Sequence, residues 1–129
     1  MHTPGAAPGV EAIERGADEH EPWEDPESIA RGVEVTNPGA SSWILEAVEN
    51  SGGAGVAVSD DDAFKAALAM ARRGGPEMCV TAAVAFAGTR KLAQQGVFGA
   101  DESVVVINTG AGCKTADYLG NVARKQEGR

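Results

Sequence analysis

The sequence predicts an α/β fold: a partial three-layer, open and mostly parallel sheet of two to four strands with flanking helices. Three observations carry this. Val104-Val105-Val106-Ile107 is an unbroken β-branched run, as expected of a strand covered on both faces. Val56-Ala57-Val58 is a second, shorter strand signal, and Val33-Glu34-Val35 a weaker third. Between and around these lie segments with helical spacing and recognisable caps, so helices cover both faces of a small sheet. Two or three strands are too few for a complete doubly wound sheet.

The elements follow in order. Residues 1–9 carry Pro4, Gly5, Pro8 and Gly9 and are expected to be irregular. Val10 to Arg15 has the spacing of a short helix. Pro26 suits the first turn of a helix ending at Gly32, with Asp25 as its cap. Asn37-Pro38-Gly39 forms a turn. Ser41 or Ser42 caps a helix carrying Trp43, Ile44, Ala47 and Val48, which Ser51-Gly52-Gly53 ends. Both Trp23 and Trp43 are expected to pack.

Ser59 with Asp62 is a partial capping box, and Asp60, Asp61 and Asp62 favour the positive end of a helix dipole. That helix runs to about Arg73 and stops at Gly74-Gly75-Pro76. Thr81 to Gln95 is an alanine-rich helix whose small residues allow a close neighbour, ended by Gly96. The Ser103–Asn108 strand leads into Thr109-Gly110-Ala111-Gly112 and a last helix from about Thr115 to Arg124. The organisation read from this is an acidic, irregular to helical segment over 1–32, an α/β core over 33–124 and a frayed tail over 125–129.

Composition narrows the function classes. The chain has 129 residues, with 43% hydrophobic and 23% charged, in the range of one soluble domain. No apolar stretch reaches about 18 residues, so no transmembrane helix is expected, and no secretory leader is recognised. A cytoplasmic location is the expectation. Net charge is −8 and lopsided. Residues 1–50 hold eleven acids against Arg15 and Arg31, a balance of −9. Residues 51–129 hold eight acids against nine bases. An acidic chain without a basic stripe is a poor match for nucleic acid. Cys79 and Cys113 lack metal-ligand spacing, and His2 and His20 lie far from both in sequence, so no metal site is expected.

The chemistry concentrates at Asn108-Thr109-Gly110-Ala111-Gly112-Cys113-Lys114. A strand followed by a glycine-rich turn and a helix places a ligand site at the strand's carboxyl end. Glycines allow close approach of a ligand to backbone, and Thr109 offers a hydroxyl. The turn lacks the third glycine of a dinucleotide fingerprint and the Gly-Lys-Ser/Thr of a phosphate loop. A plain strand-to-helix connection remains the alternative.

This segment resembles the Thr-Gly-His-Gly-Leu-Lys-Asp stretch near the end of threonine synthases, which are fold-type II pyridoxal-phosphate enzymes. Other stretches are similar to that family in the same order. Ile29-Ala30-Arg31-Gly32 through Asn37-Pro38 resembles its Ile-Ala-x-Gly-Ile-x-x-x-Asn-Pro. Gly52-Gly53 with Val56-Ala57-Val58-Ser59-Asp60 resembles its Ser-Gly-Gly and Val-Ser-Asp-Glu-Glu. Thr81-Ala82-Ala83 resembles its Ser-Ala-Ala. Ala111 stands where the family usually has His, and Met78-Cys79-Val80 where it has Glu-Pro-Ala.

The resemblance implies pyridoxal phosphate as cofactor, with Thr109, Gly110 and Gly112 as cofactor-binding residues and the Thr109 hydroxyl facing the pyridine nitrogen. It implies the C-terminal portion of an enzyme that converts O-phosphohomoserine and water to threonine and phosphate. Such enzymes need a lysine for the Schiff base. In the family it precedes a glycine-rich phosphate loop, and no matching segment occurs in this chain. Phe64-Lys65 is only a superficial likeness, and Lys91, Lys114 and Lys125 have no better context. No catalytic residue is therefore assigned, and the chain alone is expected to be inactive. Its expected partners are the lysine-bearing N-terminal half or a second copy. The alternative is a non-catalytic α/β module that binds a small molecule or partner.

Overall fold

The computed structural model describes residues 1–117. Among these residues four α-helices form: α1 Pro8–Arg15, α2 Ser41–Asn50, α3 Asp60–Arg72 and α4 Val80–Gln94. Arg31–Val33 and Gly112–Thr115 are short 3-10 turns. The last predicted helix lies mostly, and the predicted tail wholly, outside the described residues.

The core is the antiparallel pair α3 and α4. Ser59 caps α3, its hydroxyl accepting from the Asp62 amide at 3.1 Å while donating to Asp62 Oδ2 at 2.7 Å. The cap satisfies one of the amides that a helix start leaves unpaired. Arg72 stands in the last turn, where a cation suits the helix dipole. Gly74 then takes a left-handed turn with φ of 70°. Helix α4 begins at Val80, one residue before the predicted start, with Cys79 as its cap. Ala63, Ala66 and Ala67 of α3 join Val80, Ala83, Val84 and Ala87 of α4 in one buried cluster. Small side chains let the two backbones approach. Each fully buried valine contributes about 1.5–3 kcal/mol.

The N-terminal segment supports this pair. Pro8 opens α1 and Gly16, at φ 61°, closes it with amide bonds back to Ala12 and Ile13. Ala6, Ala7, Val10 and Ala12 are buried, while Glu11, Glu14, Asp18 and Glu19 face solvent.

Several expectations need correction. No sheet forms among the described residues; there are three isolated bridges. Ala57 of the predicted 56–58 strand bridges His2 in parallel, with the His2 amide donating to Val56 O at 3.0 Å and the Val58 amide to His2 O at 2.9 Å. The partner is thus the first residues of the chain, which carry no strand signal. The Val104–Ile107 run has no strand partner among the described residues, and Val105 and Ile107 are 88% and 73% exposed. Strand pairing needs a second strand at hydrogen-bonding distance, and β-branched content cannot supply one. Val33-Glu34-Val35 likewise overlaps a 3-10 turn instead of a strand.

The helix predicted from Pro26 to Gly32 is absent. Asp25 adopts a positive φ of 48°, and the Ile29 amide donates to the Asp60 carboxylate at 2.8 Å. A long-range carboxylate has replaced the helical carbonyl. Helix α2 is present, but neither Ser41 nor Ser42 caps it: Ala40 holds the cap position with no side-chain bond, and Ser41 Oγ accepts from the His20 amide at 2.6 Å. Only Leu45 of α2 is buried. Trp43 is 76% exposed, contrary to its expected packing role, whereas Trp23 is half-buried.

Candidate functional site

The start of α4 meets the glycine-rich turn. Cys79 donates its amide to Gly110 O at 2.9 Å, and Gly112 donates its amide to Glu77 O at 3.1 Å. These bonds make the Met78–Ala111 bridge. They lay the 110–112 turn against residues 77–79. The fit requires bare backbone. A Cβ on Gly110 would stand 2.6 Å from Cys79 Sγ, and one on Gly112 3.1 Å from Glu77 Cβ. Cys79 Sγ also accepts from the Ala82 amide at 3.5 Å, completing the α4 cap. One thiol therefore caps a helix and receives a turn. The Val80 amide donates to Thr115 Oγ1 at 3.3 Å, tying the far side of the turn to the same helix start.

Thr109 sits at the edge of this joint, exposed, and borders a cleft of about 410 Å³. Cys79, Thr81 and Gly32 line the same cleft, with Arg31, Lys114 and Thr115. Thr81 Oγ1 accepts from the Gly32 amide at 3.2 Å, which brings the Ile29–Gly32 segment to the cleft wall. Gly110 and Gly112 are buried beneath the turn. The structure thus collects three of the stretches that resemblance singled out: 29–32, 81 and 109–112. Thr109 lines the cleft, whereas the two glycines face protein.

A larger cleft of about 510 Å³ shares Arg31, Lys114 and Thr115 with the first. Its wall includes Ser28 and Asp60. Asp60 accepts from Ser28 Oγ at 2.7 Å and from the Ile29 amide at 2.8 Å, so it clasps residues 28–29 to the start of α3. Arg31 pairs with Glu34 at 2.7 Å.

The acidic triplet at the start of α3 is consumed by structure. Asp60 holds residues 28–29, Asp61 pairs with Lys65, and Asp62 bonds the Ser59 cap. Among the described residues no group of three or more His, Cys, Asp and Glu side chains has the placement to hold a metal ion. The Asp61 hydrogen bond and charge hold the Lys65 ammonium above its ordinary value of 10.5. A lysine that forms a covalent carbonyl adduct needs the opposite, a lowered pKa. Lys65 is exposed on the α3 surface and does not line the Thr109 cleft.

Sequence reasoning missed two features of the site. Cys79 acts as a cap, a position that Ser or Thr usually fills; its place immediately before an alanine-rich helix was the available signal. The Asp60 clasp spans 31 residues in sequence to Ile29 and left no local signal.

A family described as pyridoxal-phosphate dependent enzyme matches residues 3–110. The threonine synthase of Methanocaldococcus jannaschii is 36% identical over 113 residues, covering 88% of this chain and 28% of the relative. That of Methanosarcina acetivorans is 39% identical over 106 residues, covering 82% and 26%. The threonine synthase of Bacillus sp. (strain ULM1) is 33% identical over 94 residues, covering 73% and 27%. The chain spans about a quarter of the length of these curated relatives. No helix among the described residues is long and apolar enough to cross a membrane.

Proposed function

This chain belongs to the pyridoxal-phosphate-dependent enzyme family, and from that premise we propose that it is a portion of a threonine synthase that supplies one wall of the cofactor site. The observation that carries the reading is the 36–39% identity to two threonine synthases over more than four fifths of the chain. The family supports an α/β class. The finer architecture we propose is an open, mostly parallel sheet completed when the Val104–Ile107 run pairs with strands of the remaining enzyme. The reaction of that enzyme is conversion of O-phosphohomoserine and water to threonine and phosphate.

Bound pyridoxal phosphate would supply an electron sink for carbanion chemistry at the substrate. Thr109, which lines the 410 Å³ cleft, would meet it by the family resemblance, and a neutral hydroxyl beside the pyridine nitrogen would leave that nitrogen largely unprotonated. Gly110 and Gly112 position Thr109: their bare backbone seats the turn on Cys79 and Glu77. The Cys79 cap and the Thr81 bond to Gly32 hold the rest of the wall. The lysine and phosphate loop that complete such a site have no match in this sequence, so the chain by itself is inactive and its partner is the lysine-bearing portion.

The test is spectroscopic and catalytic. Pyridoxal phosphate is added to the pure chain, the absorbance is recorded, and threonine is assayed after addition of O-phosphohomoserine. The expected result is neither a lysine-linked chromophore nor threonine. Appearance of both would overturn inactivity in isolation. Failure of the chain to restore activity to a separately produced lysine-bearing portion would overturn the assignment as its complement.

A further inference from the structure

The chain contains two histidines, and the fold brings them together. They stand eighteen positions apart, on either side of α1. Both meet at Gly9, in the first turn of that helix. His2 Nε2 lies 3.1 Å, and His20 Nε2 3.2 Å, from the point where a Gly9 Cβ would sit. Any side chain there would fill the space the two nitrogens face.

The protonation pattern is set by hydrogen bonding. His2 Nδ1 lies 2.9 Å from Ala6 O. A carbonyl only accepts, so Nδ1 carries the hydrogen and the neutral ring presents its lone pair at Nε2. Anchoring of the remote ring nitrogen on a backbone carbonyl is the usual arrangement behind a metal-bound imidazole. His20 is held by its backbone, whose amide donates to Ser41 Oγ. Both of its ring nitrogens are shut off from solvent and have no hydrogen-bond partner among the described residues. An unpaired buried polar atom costs free energy and calls for an occupant.

We propose that His2 and His20 form a two-imidazole site for a borderline divalent transition-metal ion such as Zn²⁺, with water completing the coordination. Imidazole is a preferred ligand of such ions. The ion would clip the first residues of the chain to the segment after α1, across Gly9. The site stands apart from the Thr109 cleft, and neither histidine lines that cleft.

The test is calorimetric titration of the tag-free, full-length chain with Zn²⁺, in a Cys113→Ser background because the Cys113 thiol is exposed. One equivalent is expected to bind, reversibly to chelator. His2→Ala and His20→Ala are each expected to weaken binding by more than about tenfold, since even outer-shell substitutions cost that much at metal sites. Co²⁺ is expected to give a ligand-field absorption band that either variant abolishes. The His20 ring makes no hydrogen bond, so far-UV circular dichroism of His20→Ala should match the parent chain. Should a variant fail to fold, the unmutated chain still decides: Zn²⁺ must shift the ring NMR resonances of both histidines. Absence of binding, binding undiminished in His20→Ala, or histidine resonances unmoved by Zn²⁺ would overturn the site.

Discussion

The α3–α4 pair and the Val104–Ile107 run have opposite fates despite comparable apolar content. In α3 and α4, Val80, Val84, Ala83 and Ala66 are almost wholly buried. In the run, Val105 and Ile107 stand mostly in solvent. A helix closes its own backbone hydrogen bonds and needs only one packed face. A strand leaves its backbone groups open until another strand arrives. The helical pair is therefore complete within this chain. Among the described residues the β-branched run has no strand partner. The Thr109 turn lies at the border, attached on one side to the finished region and continuous on the other with the unpartnered run.

The largest expected effect breaks the finished region. Val84→Asp places a charge at a site 1% exposed, at a cost of about 3–5 kcal/mol for an unpaired buried ion. Thermal melting followed by circular dichroism should show loss of the cooperative helical transition. A melt unchanged from the parent would mean that α4 is not packed as described.

Asp60→Ala comes next. It removes the bonds to Ser28 and Ile29, each to a charged acceptor and worth about 1.5–3 kcal/mol when made. The melting temperature should fall, and limited proteolysis should cut near residues 25–30 faster. Unchanged proteolysis would show that the clasp does not hold this segment.

Gly110→Ala probes the border. Its Cβ would meet Cys79 Sγ at 2.6 Å, an overpacking cost of about 1–3 kcal/mol. Adding Cys79→Ala should recover most of that loss. Additive losses in the double variant would place the strain elsewhere.

Val105→Asp carries the smallest effect. At 88% exposure, the substitution should change the stability of the isolated chain by less than about 0.5 kcal/mol. The same substitution should abolish complementation by the lysine-bearing portion, because it puts a charge into the proposed sheet. A large effect on the chain alone would show that the run is already packed.

Local chemistry legible in the residues placed the helices. The Ser59 cap, the acids at the start of α3 and Gly96 after α4 act within a few positions, which is the range that spacing and capping reveal. The colinear motifs from Ile29 to Gly112 pointed to the family, and three of them meet at the Thr109 cleft. What failed was non-local. The helix expected at Pro26–Gly32 yielded to a carboxylate from Asp60, and the caps expected from Ser41 or Ser42 yielded to a bond between Ser41 and His20.

The sequence by itself determined where backbone could satisfy itself: helix starts, helix ends and the small-residue face that lets α3 and α4 touch. Tertiary structure alone decided that His2 pairs with Ala57 and meets His20, that Asp60 reaches Ile29, and that Gly110 rests on Cys79. Those contacts join residues 18 to 55 positions apart, so their energy depends on the path of the whole chain and leaves no periodic trace in it.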